Sequence, residues 1–327
     1  MPKILVSSMF KQSSVSAQNT GFNTSYIATG CVSTNFTLTK ANMRNYSRSL
    51  QHATETKANR TDLSGAPARI CQGAGGFSRT NIYLMKGYNG SDSTGQGETI
   101  GSTVVNKVAV STDSNSSPTI SFTTERRGPY VTCPTYFGRL YFITGYNDGG
   151  AVYSNLSSYI NTATDISINT TNFLAARHVG GTLSTKFNTY LFGGYTTGNG
   201  VTNNFYKWSF ATDTPSSLST LDTAAAGMCG ISHNTYGYLL GGAGDNLAVR
   251  KFSFNTETLS NLANLATFLE YSAPSVSNTT GYCWTGVINT SQRGLFKVAW
   301  ATETITDARY TESTDSASGF LIQSGGA

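Results

Sequence analysis

The stretch FYKWSFATDTPSSLSTL, residues 205–221, decides the fold. Its first six residues set apolar or aromatic side chains against polar ones with period two, as a strand with one covered face requires. ATDT then brings small residues and side-chain oxygens that bond the local backbone, which suits a hairpin turn. PSSLST continues as a short polar strand. The pattern recurs as VRKFSFNTETLSNL (249–262) and LFKVAWATETIT (295–306).

Working outward, turns of the form small–Thr–acid–Thr are read at ATET (53–56), STDS (111–114), NTAT (161–164), ATDT (211–214), NTET (255–258) and ATET (301–304). Their starts are 58, 50, 50, 44 and 46 residues apart. Between them runs a second signal, a short apolar stretch closing on glycine. It is seen in YIATG (26–30), IYLMKG (82–87), LYFITG (140–145), YLFGG (190–194), YLLGG (238–242) and YCWTG (282–286). Such runs, bounded by turn residues, read as buried strands rather than helices. Small-residue segments such as RICQGAG, RHVGGT, GMCGIS and SAPSVS precede them.

The unit is therefore four strands: small-residue, buried aromatic, alternating, and short polar. Four strands per roughly 50 residues is a propeller blade with kelch-like spacing. The expected fold is all-β, a kelch-like β-propeller of about six four-stranded blades. Its single domain spans residues 14–327, and residues 1–13 form an N-terminal arm or attachment segment. The segment SGFLIQSG (318–325) falls in register as a first strand and is expected to close the ring beside YIATG.

Composition narrows the function. Charged residues make up 12% of the chain, about half the usual share. The net charge of +5 is spread without a basic stripe, so nucleic-acid binding is not expected. No apolar run reaches the length that crosses a bilayer, so membrane insertion is not expected. The five cysteines are odd in number and form no CxxC pair. They are expected to be small buried hydrophobes in a chain made in a reducing compartment, with neither a disulfide framework nor a zinc site.

Catalytic constellations are missing from the sequence. The three histidines, His52, His178 and His233, stand at different repeat registers, so no metal site is expected. The phosphate, zinc-protease and serine-hydrolase motifs do not occur. Paired acids for glycoside hydrolysis cannot be singled out. The chain is read as a non-enzyme without cofactors.

Two sets of residues remain as binding candidates. Sixteen residues on from the first three turn starts lie Arg69, Arg127 and Arg177. At matched register they would converge on one face, as an anion or sugar-acid site or as repeated bonds to loop carbonyls between blades. Tyr88, Tyr146 and Tyr195 follow the glycine-ending strands. They either hold sugars or partner surfaces at the loop bases, or pack blade against blade.

The strings YKWSFATDTPSSLSTL…GYLLGG and RKFSFNTETLSNLA…GYCWTG resemble the kelch-like propeller repeats in proteins of tailed bacteriophages, marine and cyanobacterial ones above all. The resemblance covers about residues 24–325 and is strongest from 140 to 305. It departs where Lys207, Lys251 and Lys297 stand in place of the family's acidic residue in the alternating strand. What it implies is a virion structural protein: a tail, fibre or capsid-surface appendage assembled in the host cytoplasm. Its partners would be other virion proteins and host cell-surface glycans, and self-association within a particle stays open. Its loops would serve host recognition or particle decoration. A saccharide-acting propeller enzyme and a cellular kelch-type interaction scaffold are the alternatives.

Overall fold

The computed structural model describes residues 24–31, 43–51, 56–60, 74–78, 81–85, 102–109, 114–116, 120–126, 130–132, 138–147 and, with short interruptions, 152–308. The expected arm (1–13) and closing segment (318–325) lie outside them. The described elements are all strands, and they form six antiparallel sheets.

The fourth, fifth and sixth sheets follow one plan. Gly181–Ser184, Asn188–Phe192, Asn204–Ser209 and Thr214–Thr220 make the fourth. Cys229–Ser232, Tyr236–Leu240, Val249–Ser253 and Thr258–Asn261 make the fifth. Ala273–Val276, Thr280–Trp284, Leu295–Ala299 and Thr304–Ala308 make the sixth. In each, consecutive strands pair antiparallel in chain order. The third sheet has the same order with longer middle strands: Tyr130–Thr132, Arg139–Asn147, Val152–Asn161 and Ile166–Asn169. The second contains Ala74–Phe77, Asn81–Met85, Ser102–Ala109 and Ser114–Ser116, and Ser121–Arg126 also pairs with its third strand. The first shows three strands, Thr24–Cys31, Met43–Gln51 and Thr56–Arg60.

First strands lie side by side from sheet to sheet. Ala74–Phe77 neighbours Tyr130–Thr132, which neighbours Gly181–Ser184, then Cys229–Ser232, then Ala273–Val276, which touches Thr24–Cys31 of the first sheet. Fourth strands face solvent, so Ile166–Asn169 and Thr258–Asn261 are mostly exposed. The apolar clusters sit between successive sheets. One joins Tyr141, Ile143 and Tyr159 of the third to Leu191, Tyr206 and Trp208 of the fourth. Another joins Leu183, Tyr190 and Phe192 to Leu239 and Phe252.

The turn between third and fourth strands does more than reverse the chain. Its four residues are fixed by the flanking pairs Asn161↔Ile166, Ser209↔Thr214, Ser253↔Thr258 and Ala299↔Thr304. The last residue of each is an acid with positive φ: Asp165 (58°), Asp213 (53°), Glu257 (54°) and Glu303 (53°). A non-glycine residue in that region costs about 1–2 kcal/mol, and here it aims a carboxylate at the preceding sheet. Asp165 accepts from Tyr83 Oη (2.8 Å) and Lys107 Nζ (2.6 Å). Asp213 accepts from Tyr141 Oη (2.6 Å) and Arg139 Nη1 (3.0 Å). Glu257 accepts from Tyr190 Oη (2.9 Å) and Lys207 Nζ (2.6 Å), and Glu303 accepts from Tyr238 Oη (3.0 Å) and from Lys251.

Tyrosine and lysine meet the acid together because they face each other across the sheet, at Tyr83↔Lys107, Tyr190↔Lys207 and Tyr238↔Lys251. In the third sheet Tyr141 faces Tyr159 instead, and Arg139 supplies the cation while lying 4.5 Å from the Tyr159 ring centroid. The aromatic that opens the turn stacks on the same tyrosine: Phe210 on Tyr141, Phe254 on Tyr190 and Trp300 on Tyr238. Burial, reinforced by the hydrogen bond to the acid, pushes the Tyr190 and Tyr238 hydroxyls well above their ordinary range. Burial pushes the Glu257 carboxyl up, but the bonds from Lys207 and Tyr190 outweigh it and hold it below its ordinary value.

Two sequence expectations are corrected here. The third small–Thr–acid string starts at Ala163, not Asn161: Asn161 pairs with Ile166, so the turn is Thr162–Asp165 and its acid is Asp165. Cys229 and Cys283, both buried, are joined in a disulfide between the fifth and sixth sheets. The odd count and open spacing hid a pair that meets only when two sheets pack together.

Candidate functional site

At the loop ends between the third and fourth sheets an aromatic group forms around His178. The third sheet's hairpin supplies Tyr146 and Tyr153, a facing pair whose rings meet edge to face at 5.1 Å. A bulge precedes Tyr146: Thr144 (φ 61°) and Gly145 (φ 135°) shift the register and bend the strand. Gly145 N donates to Arg177 O at 2.9 Å, tying the bend to the incoming loop.

His178 and Tyr195 exchange backbone hydrogen bonds of 3.1 and 2.9 Å as an isolated bridge. The His178 ring lies 5.5 Å from Tyr146, 5.1 Å from Tyr153 and 5.5 Å from Tyr195. His178 and Tyr153 are buried, while Tyr146 and Tyr195 are half-buried. Gly193 (φ 60°) lets the chain reach Tyr195, since a Cβ there would overlap the carbonyl of Ala225. Two tyrosines thus flank a histidine, with apolar ring faces and polar tips in one place.

Arg177, the next residue back, is turned away from this surface. It is 1% exposed, its guanidinium lies 4.4 Å from the Tyr206 ring centroid, and Nη1 donates to Gly193 O (3.0 Å) and Asn204 O (3.4 Å). Those are the loop-carbonyl contacts of the architectural reading. Backbone hydrogen bonds give its repeat equivalents. Gly145, Gly194 and Gly242 donate to Arg177, Ala225 and Leu269. Arg177 therefore matches Ala225 and Leu269, and it stands 14 residues after a turn start at Ala163. Arg69 and Arg127 stand 16 after theirs, so Arg177 does not share their register. Arg69, Arg127 and Tyr88 lie outside the described residues.

Sequence reasoning missed His178 and Tyr153 as members of the group. His178 was set aside because it stands alone in its repeat register, and Tyr153 lies in an alternating strand where an aromatic reads as core.

Among the described residues no group of three or more His, Cys, Asp or Glu is placed to hold a metal ion.

No protein-family model matches the chain, and no curated protein matches it. A solved structure of a protein named YjhT superposes with a TM-score of 0.71, covering 89% of this chain and 96% of that one. The fold is of the β-propeller type. At 13% identity the likeness concerns the fold alone. The sheets are accordingly blades, and the aromatic group sits where loops between the third and fourth blades come together. Loops held by a rigid scaffold are where recognition residues concentrate.

Proposed function

We propose that this chain is a non-enzymatic structural protein of a tailed-phage particle, a tail, fibre or capsid-surface appendage whose propeller binds host-surface glycan. The observation that carries the glycan reading is the pair of half-buried tyrosines, Tyr146 and Tyr195, on either side of His178. A neutral sugar presents C–H faces to rings and hydroxyls to ring tips, and this group offers both. The sealed position of Arg177 favours a neutral ligand over a sugar acid. The phage assignment is supported by the repeat resemblance.

Six blades in one closed ring are part of the proposal. The sequence places an acid at the end of all six turns, adding Glu55 and Asp113 to the four described. It likewise places a tyrosine in every second strand: Tyr26, Tyr83, Tyr141, Tyr190, Tyr238 and Tyr282. In the last blade Tyr282 faces Lys297, the same donor pair that takes an acid from the next blade elsewhere. A ring supplies that acid from the first blade, as Glu55. The first blade's innermost strand then comes from residues 318–325.

Purified chain screened on an array of neutral glycans tests the binding. Tyr146→Ala and Tyr195→Ala are each expected to lower affinity about tenfold or more, a loss of roughly 1.4 kcal/mol. The Phe variants should retain most of it, because the ring face is kept. Unchanged binding by both Ala variants would remove this site from the account.

A further inference from the structure

We infer that the Cys229–Cys283 bond is a redox-set staple: the propeller folds with two thiols and is locked when it reaches an oxidising environment. The argument rests on position, and it stands whether or not the chain binds glycan. Cys229 opens the first strand of the fifth blade and pairs with Leu240, as Gly181 opens the fourth and pairs with Phe192. Cys283 takes the place in the second strand that Leu239 takes one blade earlier, facing Pro274 as Leu239 faces Gly230.

These two positions already face each other at the preceding junction. A Cβ built on Gly181 would lie 2.8 Å from Leu239 Cδ2. One junction fills the paired space with glycine and leucine, and the next fills it with two cysteines. Cysteine at both members of one facing pair, and at neither member of the preceding one, marks the pair as a unit.

The surroundings fit both states. Cys229 and Cys283 are fully buried among Ile231, Leu240, Phe296 and Val298. As thiols they pack there as small hydrophobes, so the blade junction assembles in a reducing cytosol. Oxidation by a small-molecule disulfide such as oxidised glutathione completes the lock. One thiolate attacks a glutathione sulfur and releases one glutathione thiol. The second cysteine then displaces the other glutathione as its thiol. Two protein thiols and one disulfide become one protein disulfide and two glutathione thiols. Because both sulfurs are sealed, exchange in either direction requires the fifth and sixth blades to part.

Full-length chain purified under dithiothreitol and then held in oxidised glutathione tests this. Digestion without reductant should yield a linked peptide containing Cys229 and Cys283, lighter by two hydrogens than the two thiol peptides. The bond closes a loop of 54 residues, so the oxidised form should melt about 5–10 °C above the reduced one. Dithiothreitol should reverse the bond slowly in buffer and quickly in urea. The Cys229→Ala/Cys283→Ala variant should melt near the reduced form and ignore glutathione. The inference is overturned if the two thiols alkylate freely in the folded, glutathione-treated chain. It is equally overturned if oxidised and reduced wild-type chains melt together, or if the double variant still responds to glutathione.

Discussion

Replacing Asp222 and Asp245 together by asparagine is expected to destabilise the chain by about 3–5 kcal/mol, seen as a melting point lower by on the order of 10 °C. Arg250 is the reason. It is 1% exposed, with Nε donating to Asp222 (2.7 Å) and Nη2 to Asp245 (2.6 Å). Asp222 leaves the fourth blade and Asp245 stands in a loop of the fifth, so one guanidinium pins two blades. Burial pushes the Asp222 carboxyl up, but the bonds from Arg250 and Asn261 outweigh it and hold it below its ordinary value. The double substitution keeps side-chain shape and removes both countercharges from the buried guanidinium. Arg250→Met should cost less, because both carboxylates are partly exposed and regain water. Adding Arg250→Met to the double variant should recover stability. Thermal melts of the three variants check the order, and a double variant more stable than Arg250→Met contradicts it.

Gly230→Ala should be strongly destabilising, although it adds a single methyl at a position free of backbone strain. The new Cβ would overlap the carbonyl, carbon and nitrogen of Thr182 on the first strand of the preceding blade. Backbone cannot swing aside as a side chain can, so the cost should reach or exceed the upper end of the ~1–3 kcal/mol typical of overpacking. Gly200→Ala is the control. Its Cβ would meet only Thr196 Oγ1, at 3.9 Å, and its melting point should stay near wild type. Equal melts for the two variants would mean that the first strands do not abut as described.

Much of this fold was legible in the sequence, because the repeat carries its own punctuation. The turn strings FATDT, FNTET and WATET marked the hairpins, and the glycine-ending runs marked the buried strands. The long-range use of those residues was not legible. The turn acids read as local hydrogen-bonding groups, yet the structure sends each of the four described ones to a tyrosine and a cation on the blade before. Lys207 and Lys251 looked like departures from a family pattern, and they are the cations of that clamp. The third turn's string was read two residues early, because Thr162 stands where the fourth, fifth and sixth turns have an aromatic. That slip carried Arg177 into a false register with Arg69 and Arg127.

The candidate site was half visible for the same reason. Tyr146 and Tyr195 follow a recognisable strand, so counting found them. His178 joins them through a bridge to Tyr195, and no spacing rule reports a bridge between loops. The disulfide was hidden likewise, since 54 residues separate partners that meet only across a blade junction.

The central claim is that each blade grips the one before it through an acid, a tyrosine and a cation, and that the sequence of grips closes on itself. A double-mutant cycle on Lys297 and Glu55, read by denaturant unfolding, tests it at the closing junction. Lys297→Ala and Glu55→Ala should each destabilise the chain, and the pair should cost less than the sum, with a coupling of about 0.5 kcal/mol or more. Strictly additive losses would contradict closure through this clamp and leave the sheets as an open arc.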